Sequence, residues 1–249
     1  MSNKIHLVMP MAGEGSRFYK NGYKIPKPLI EINGFPFFYW AALSITKFVE
    51  VQNLIFVVLR KHIDEFGIDK CILRYFPDAV IEIVPYVLNG PVLTCLEGIK
   101  NINDELPVLF NDCDHMFLCS QLYEYLTHGQ DPIDGGLVTF SSDMPQYSYI
   151  RYGLDNEIIG TVEKQVVSGQ AICGAYYFKN AAQFKEMSEL YLDNCEYQEY
   201  FVSGVYNIMC EKNCIIKSFL CDQHVEFGTP LEYENAKNAD IFTKFKRGI

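Results

Sequence analysis

The first half of the chain alternates short apolar runs with amphipathic stretches, and that order leaves few folds open. Residues 5–9 read as a buried strand, short and apolar, closed by Pro10 and a glycine-containing loop. A helix is expected over 37–48, a strand at 54–59, a helix over 63–76 and a strand at 80–84. A helical stretch at 92–99 and a fourth strand at 108–110 follow, the strand running into Asn111-Asp112-Cys113-Asp114. Strands separated by helices pair in parallel through crossovers of one hand, so this order predicts an α/β fold with a doubly wound, mostly parallel sheet. The second half is different. Segments 136–142, 148–152, 158–163 and 172–178 are short β-type runs between turn residues, which makes the sheet mixed and adds a small β extension. Helices are expected over 180–192 and 198–212, with a strand at 215–220 between that helix and the C-terminal segment. Thr229-Pro230-Leu231-Glu232 is a capping box with proline at the first helical position, and it opens a last helix. No repeat, low-complexity tract or linker interrupts the pattern, so residues 1–249 read as a single domain.

Composition narrows the function classes. A hydrophobic share of 49% with 21% charged residues supports a full core and excludes a disordered chain. No run approaches the ~20 apolar residues of a membrane helix. Residues 1–7 lead straight into the first strand without the long apolar stretch of a leader, so a cytoplasmic protein with no membrane partner is expected. Nine cysteines, at 71, 95, 113, 119, 173, 195, 210, 214 and 221, form no CxxC pair. Their odd number and spacing argue against a disulfide framework and against a zinc motif, and point to reduced, mostly buried thiols. A net charge of −10 argues against a nucleic-acid surface. Residues 1–30 nevertheless carry Lys4, Arg17, Lys20, Lys24 and Lys27 against Glu14 alone, which suits either a local phosphate site or an ordinary solvated loop.

Two segments near the N-terminus could carry chemistry. Met11-Ala12-Gly13-Glu14-Gly15-Ser16-Arg17 directly follows the first strand, where ligands bind in open α/β sheets. Glycines there let backbone N–H groups approach phosphate, and Arg17 would add a charge-assisted fork. The segment is not GxxxxGK[ST], and Leu59-Arg60 stands where a dinucleotide-binding acid would end the second strand. In Pro26-Lys27-Pro28, two fixed φ angles stiffen the backbone around one lysine. Taken singly, the first is also a plain turn and the second a rigid loop.

Together, Ala12-Gly13-Glu14-Gly15-Ser16-Arg17, Pro26-Lys27-Pro28-Leu29, Asn33-Gly34 and Pro36 closely resemble the opening signature of sugar-phosphate nucleotidylyltransferases. The likeness is strongest to the short members that activate building blocks of bacterial surface polysaccharides. Later segments match in order: Asn111-Asp112-Cys113-Asp114 at a strand end, Thr161-Val162-Glu163-Lys164, Gly174-Ala175-Tyr176-Tyr177-Phe178 and Glu226-Phe227-Gly228-Thr229-Pro230. The sequence departs from that pattern at Glu14, where glycine is common, at Gln165 in place of proline, and at Glu226 in place of aspartate.

The resemblance implies a Rossmann-like nucleotidyltransferase fold with a nucleotide-binding half at 1–115 and an acceptor-binding half at 116–249. It implies that Ala12, Gly13, Glu14, Gly15 and Ser16 hold an NTP, that Arg17 pairs with its phosphates, and that Lys27 contacts the α-phosphate. Gly90, at the end of 85–90, would lie against the base; a simple β-to-α turn is the alternative for the other residues of that segment. Asp114, with Asp112 second and Glu226 opposite, would bind Mg²⁺, a hard cation that prefers carboxylates and phosphates. Lys164 would anchor the phosphate of a small acceptor. The expected reaction joins an NTP, CTP favoured, to a sugar 1-phosphate or a non-sugar phosphate such as phosphoglutamine or phosphocholine, with release of pyrophosphate. Segments 165–170 and 197–203 do not closely match hexose-type patterns, which leads away from an ordinary hexose. An attacking phosphate oxygen needs no general base, so the five histidines are read as structural or solvent-exposed. Two other readings stay open: a glycosyltransferase of related fold using Asp112-Cys113-Asp114 as a DxD motif, and a non-catalytic nucleotide-binding regulator.

Overall fold

The computed structural model describes residues 4–129 and 131–247; residues 1–3, part of the segment on which the absence of a leader was read, lie outside them. Strand β1 (Lys4–Pro10) alternates strictly, with Ile5, Leu7 and Met9 entering one apolar layer and Val8 the other. A short helix α1 (Ser16–Lys20), a 3-10 turn at Lys27–Leu29 and a two-stranded ribbon of β2 (Glu31–Ile32) and β3 (Phe35–Pro36) lead to helix α2 (Phe37–Thr46). Strand β4 (Glu50–Leu59) follows. The single helix expected over 63–76 is two, α3 (Arg60–Phe66) and α4 (Ile68–Tyr75), because Gly67 between them is left-handed at φ 62°. Then come β5 (Val80–Val84), α5 (Pro91–Ile99), β6 (Val108–Asn111), β7 (His115–Leu118) and α6 (Ser120–His128). The remainder runs β8 (Gly135–Ser141), β9 (Ser148–Tyr152), β10 (Ile158–Glu163), β11 (Gln170–Phe178), α7 (Ala181–Asn194), α8 (Val202–Glu211), β12 (Ile216–Leu220), β13 (Gln223–Glu226), α9 (Pro230–Ala236) and α10 (Ile241–Arg247).

Nine strands form one mixed sheet, ordered β10-β9-β11-β6-β1-β4-β5 with β8 and β12 continuing from β11. Strands β5, β4, β1 and β6 are parallel, as the alternating order requires, and β11 turns the sheet antiparallel against β6. Helices α5, α7 and α8 cover one face, and α2, α4 and α6 the other. A third apolar cluster lies to one side, where Phe37 and Trp40 of α2 meet Phe227 and the buried Ile241, Phe242 and Phe245 of α10. Strand β13 pairs antiparallel with β7, aligning Glu226 with His115. This ribbon and helices α6 and α10 were not foreseen from the sequence.

Two local features shape the site. Strand β11 slips register against β8 between Ile172 and Tyr176, with Gly174 at φ 92°; its C-terminal half pairs with β6 and Ala171 with β9. The end of β6 therefore faces a kink rather than a continuous neighbour. The helix expected over 198–212 begins only at Val202, since the backbone before it bonds elsewhere. Tyr200 N–H donates to Asn89 O (3.3 Å) and Tyr200 O accepts from Val92 N–H (3.0 Å).

Candidate active site

Two cavities adjoin at the carboxyl ends of β1 and β6. One, of about 460 Å³, is lined by residues 10–16, Lys27, Pro28, 87–91, Thr94, Cys113 and Glu199. Ala12, Gly13, Glu14, Gly15, Ser16, Lys27 and Gly90 are thus gathered around one space. Gly90 is fixed by its surroundings: it sits at φ 99°, and a Cβ there would lie 2.4 Å from Tyr200 N. The 199–201 segment can close over residues 89–92 only because that side chain is missing, and this brings Glu199 to the wall of both cavities.

The second cavity, of about 330 Å³, is lined by Arg17, Asp112, Asp114, Lys164 and Glu226, together with Tyr147, Ser148, Glu163 and Phe201 among others. Arg17, expected beside the glycine loop's phosphates, faces this space. Lys164 is exposed, held at φ 55° with its N–H on Tyr147 O (2.9 Å), and its Nζ lies 5.6 Å over the Phe201 ring. Glu163 was passed over in the sequence. Its carboxylate accepts hydrogen bonds from the Ser148 and Ser203 hydroxyls, tying β10 to β9 and α8.

The partition between the cavities is an ion pair. Lys27 Nζ donates to Asp114 Oδ2 at 2.8 Å, with both side chains only about a quarter exposed (27% and 23%). Burial alone would discharge both groups. On Lys27, burial pulls the pKa down, but the Asp114 carboxylate outweighs it and the net shift is upward. On Asp114, burial pushes up, but the charge and hydrogen bond of Lys27 hold the carboxyl below its ordinary range. Asp112 behaves oppositely: burial, and then the neighbouring Asp114 carboxylate, push it up to about 7 against the pull of His115 and Lys27. Glu226 is also raised, by burial first and by Glu232, although hydrogen bonding to Tyr147 opposes this.

This acid cluster suits a divalent cation. Carboxylates at Asp112, Asp114 and Glu226 face one cavity, and burial, with the neighbouring Asp114 charge second, has already moved Asp112 toward its protonated form, a cost that a bound cation would relieve. Backbone closes in with no side chain intervening: a Cβ at Gly174 would lie 2.6 Å from Asp112 Oδ2, and one at Gly228 would lie 2.5 Å from Asp114 Oδ2. Lys27 takes one Asp114 oxygen, which leaves Oδ1 and the other two carboxylates for a metal.

Three further groups on the floor of this cavity lie outside the sequence motifs. His115, Cys173 and His224 place ligand atoms within 4.8 Å of one another. Burial pushes the Cys173 thiol up, but its contacts with Cys221 and His115 outweigh burial and hold it at about 6. Burial lowers His115, but Cys173 and the two aspartates more than restore it, whereas burial and His115 keep His224 well below the usual imidazole range.

No family model and no curated protein matches the chain. Solved structures do. A nucleoside-diphosphate-sugar pyrophosphorylase from Vibrio cholerae RC9 superposes with a TM-score of 0.79 at 22% identity, covering 94% of this chain and 100% of that one. An inositol-1-phosphate CTP transferase from T. maritima gives 0.75 at 14% identity, over 99% and 96% of the two chains. A UDP-glucose pyrophosphorylase complexed with UDP-glucose gives 0.74 at 18% identity, over 98% and 100%. At these identities the likeness establishes the fold: the chain has the sugar-phosphate nucleotidylyltransferase fold over nearly its whole length.

Proposed function

We propose that the chain is a nucleotidyltransferase that joins an NTP, CTP favoured, to a small phosphorylated metabolite and releases pyrophosphate. The observation that carries this reading is the Lys27–Asp114 pair standing between two cavities, one ringed by the glycine loop and the other by Lys164 and Arg17. A donor in the first space and an acceptor in the second would meet at Lys27. That arrangement supports a division of labour between residues 1–115 and 116–249 within a single domain, with Arg17 crossing into the acceptor space and Glu199 into the nucleotide space.

In the reaction, an acceptor phosphate oxygen forms a bond to the α-phosphorus in line with the departing pyrophosphate. The α–β bridging P–O bond breaks and its electron pair leaves with pyrophosphate. Such chemistry needs positioning and charge stabilisation rather than a covalent intermediate. Lys27 neutralises charge at the α-phosphate, and Arg17 and Lys164, which line the second cavity, hold the acceptor phosphate. Backbone N–H groups of 12–16 cradle the triphosphate. Mg²⁺ on Asp112, Asp114 and Glu226 would supply Lewis-acid charge at the same centre. A glycosyltransferase using Asp112 and Asp114 as a DxD pair has no role for a lysine bonded to the second aspartate, so the ion pair favours nucleotidyl transfer.

The acceptor is proposed to be a precursor of surface or capsule polysaccharide: a sugar 1-phosphate, phosphoglutamine or phosphocholine. The nucleotide choice is supported by the CTP transferase among the structural neighbours. A pyrophosphate-release screen of four NTPs against a panel of phosphorylated acceptors tests the whole reading. One pyrophosphate per nucleotide consumed, only with both substrates and Mg²⁺ present, is expected. Turnover undiminished by excess EDTA, or release of free phosphate instead, would falsify it.

A further inference from the structure

We propose that His115, Cys173 and His224 form a second metal site, for a transition-metal dication of the Zn²⁺ class, with its fourth coordination position open to the 330 Å³ cavity. The site needs neither substrate and stands apart from the carboxylate cluster in its donor chemistry. Carboxylate oxygens suit a hard cation, whereas two imidazoles and a thiolate select Zn²⁺ and its neighbours.

The hydrogen bonding around His115 supports a ligand role. Asn111 Nδ2 donates to Ala41 O at 3.0 Å, which fixes the amide so that Asn111 Oδ1 faces His115. His115 Nε2, at 3.0 Å from that oxygen, must then carry the hydrogen. Metal-binding histidines are held in this way, the outer N–H on a carbonyl oxygen and the other nitrogen turned inward. Here the inward atom is Nδ1, buried with no hydrogen-bond partner of ordinary geometry, and the group the ring meets is Cys173. His224 adds a second such atom. Its ring packs on Phe140 at 4.2 Å, and its Nε2 is likewise buried and unpartnered.

An orphaned buried polar atom costs about 1–3 kcal/mol, and folded chains keep few of them. Two beside one thiol, all bordering the same cavity, are accounted for together by a single ion. Tetrahedral Zn²⁺ holds nitrogen and sulfur donors about 3.3–3.7 Å apart, given its usual bond lengths. Closing a set already within 4.8 Å takes side-chain shifts of only about 1 Å, by simple difference. Cys173 binds as thiolate, so metal binding releases the thiol proton to solvent. Three protein ligands with one open position is the pattern of reactive rather than purely structural zinc.

The test uses the full chain stripped of metal by chelation and titrated with Co²⁺, which reports thiolate ligation by a near-ultraviolet sulfur-to-cobalt charge-transfer band. With Mg²⁺ in excess to fill the carboxylate cluster, the band should saturate at one Co²⁺ per chain and be displaced by Zn²⁺. Cys173→Ser should abolish the band, and His224→Ala should weaken Co²⁺ affinity at least tenfold; circular dichroism confirms that each variant is folded. The wild-type titration decides the matter even if a variant fails to fold. A wild-type chain that shows no band, or a band that survives Cys173→Ser, overturns the site.

Discussion

Lys27 carries two burdens at once. Flanking prolines hold its backbone in a 3-10 turn, and its ammonium is the counter-charge that keeps Asp114 ionised in a half-buried position. In the proposed reaction the same charge serves the α-phosphate, so Lys27→Ala removes a preorganised donor from the transition state. A loss of about 10²–10³ in kcat is expected, the scale seen when one such donor is deleted. Removing the counter-charge of Asp114 should also lower stability, so the loss in kcat is read on a variant shown to be folded by circular dichroism. Near-normal turnover in a folded Lys27→Ala variant would contradict the assignment. The lysine was legible in the sequence because its neighbours constrain it. The protonation balance at Asp112 was not, since it depends first on how deeply the folded chain buries the end of β6.

The glycine loop and the 199–201 segment show how elements from opposite halves complete one site. Residues 198–201 read as helix from their own sequence, yet they bend past residues 89–92, where the backbone of Tyr200 bonds to Asn89 and Val92 in place of helical partners. The contact depends on Gly90. A side chain at φ 99° is strained by about 1–3 kcal/mol before the overlap with Tyr200 is counted. Gly90→Ala should therefore lower stability by about 2 kcal/mol or more, read as a fall in urea midpoint at unchanged slope. It should also weaken NTP binding, since Gly90 and its neighbours 87–91 themselves form part of the nucleotide cavity wall. An unchanged midpoint would mean that this junction is looser than described. The helix break at Gly67 belongs to the same class of feature, a left-handed glycine inside an otherwise helical pattern.

At the scale of the molecule, the parallel half of the sheet was readable because buried strands and crossover helices impose their periods on local sequence. The antiparallel half was readable as strands but not as pairings, and the β7–β13 ribbon joins segments a hundred residues apart that carry no mutual signal. His115, Cys173 and His224 escaped for the same reason: no two of them share an element, so no spacing rule applies. The candidate site residues taken from the motifs, by contrast, each line one of two adjoining cavities. The central claim is that the glycine-loop cavity takes the nucleotide and its neighbour takes the acceptor phosphate. Calorimetric titration of CTP into Lys164→Ala, paired with acceptor kinetics on the same variant, tests it most directly. A lost charge-assisted contact is worth about 1.5–3 kcal/mol, or roughly tenfold or more in affinity. The account predicts that this loss falls on the acceptor KM while the CTP dissociation constant stays within about twofold of wild type. A comparable loss in CTP affinity with untouched acceptor kinetics would put Lys164 on the nucleotide and contradict the two-cavity assignment.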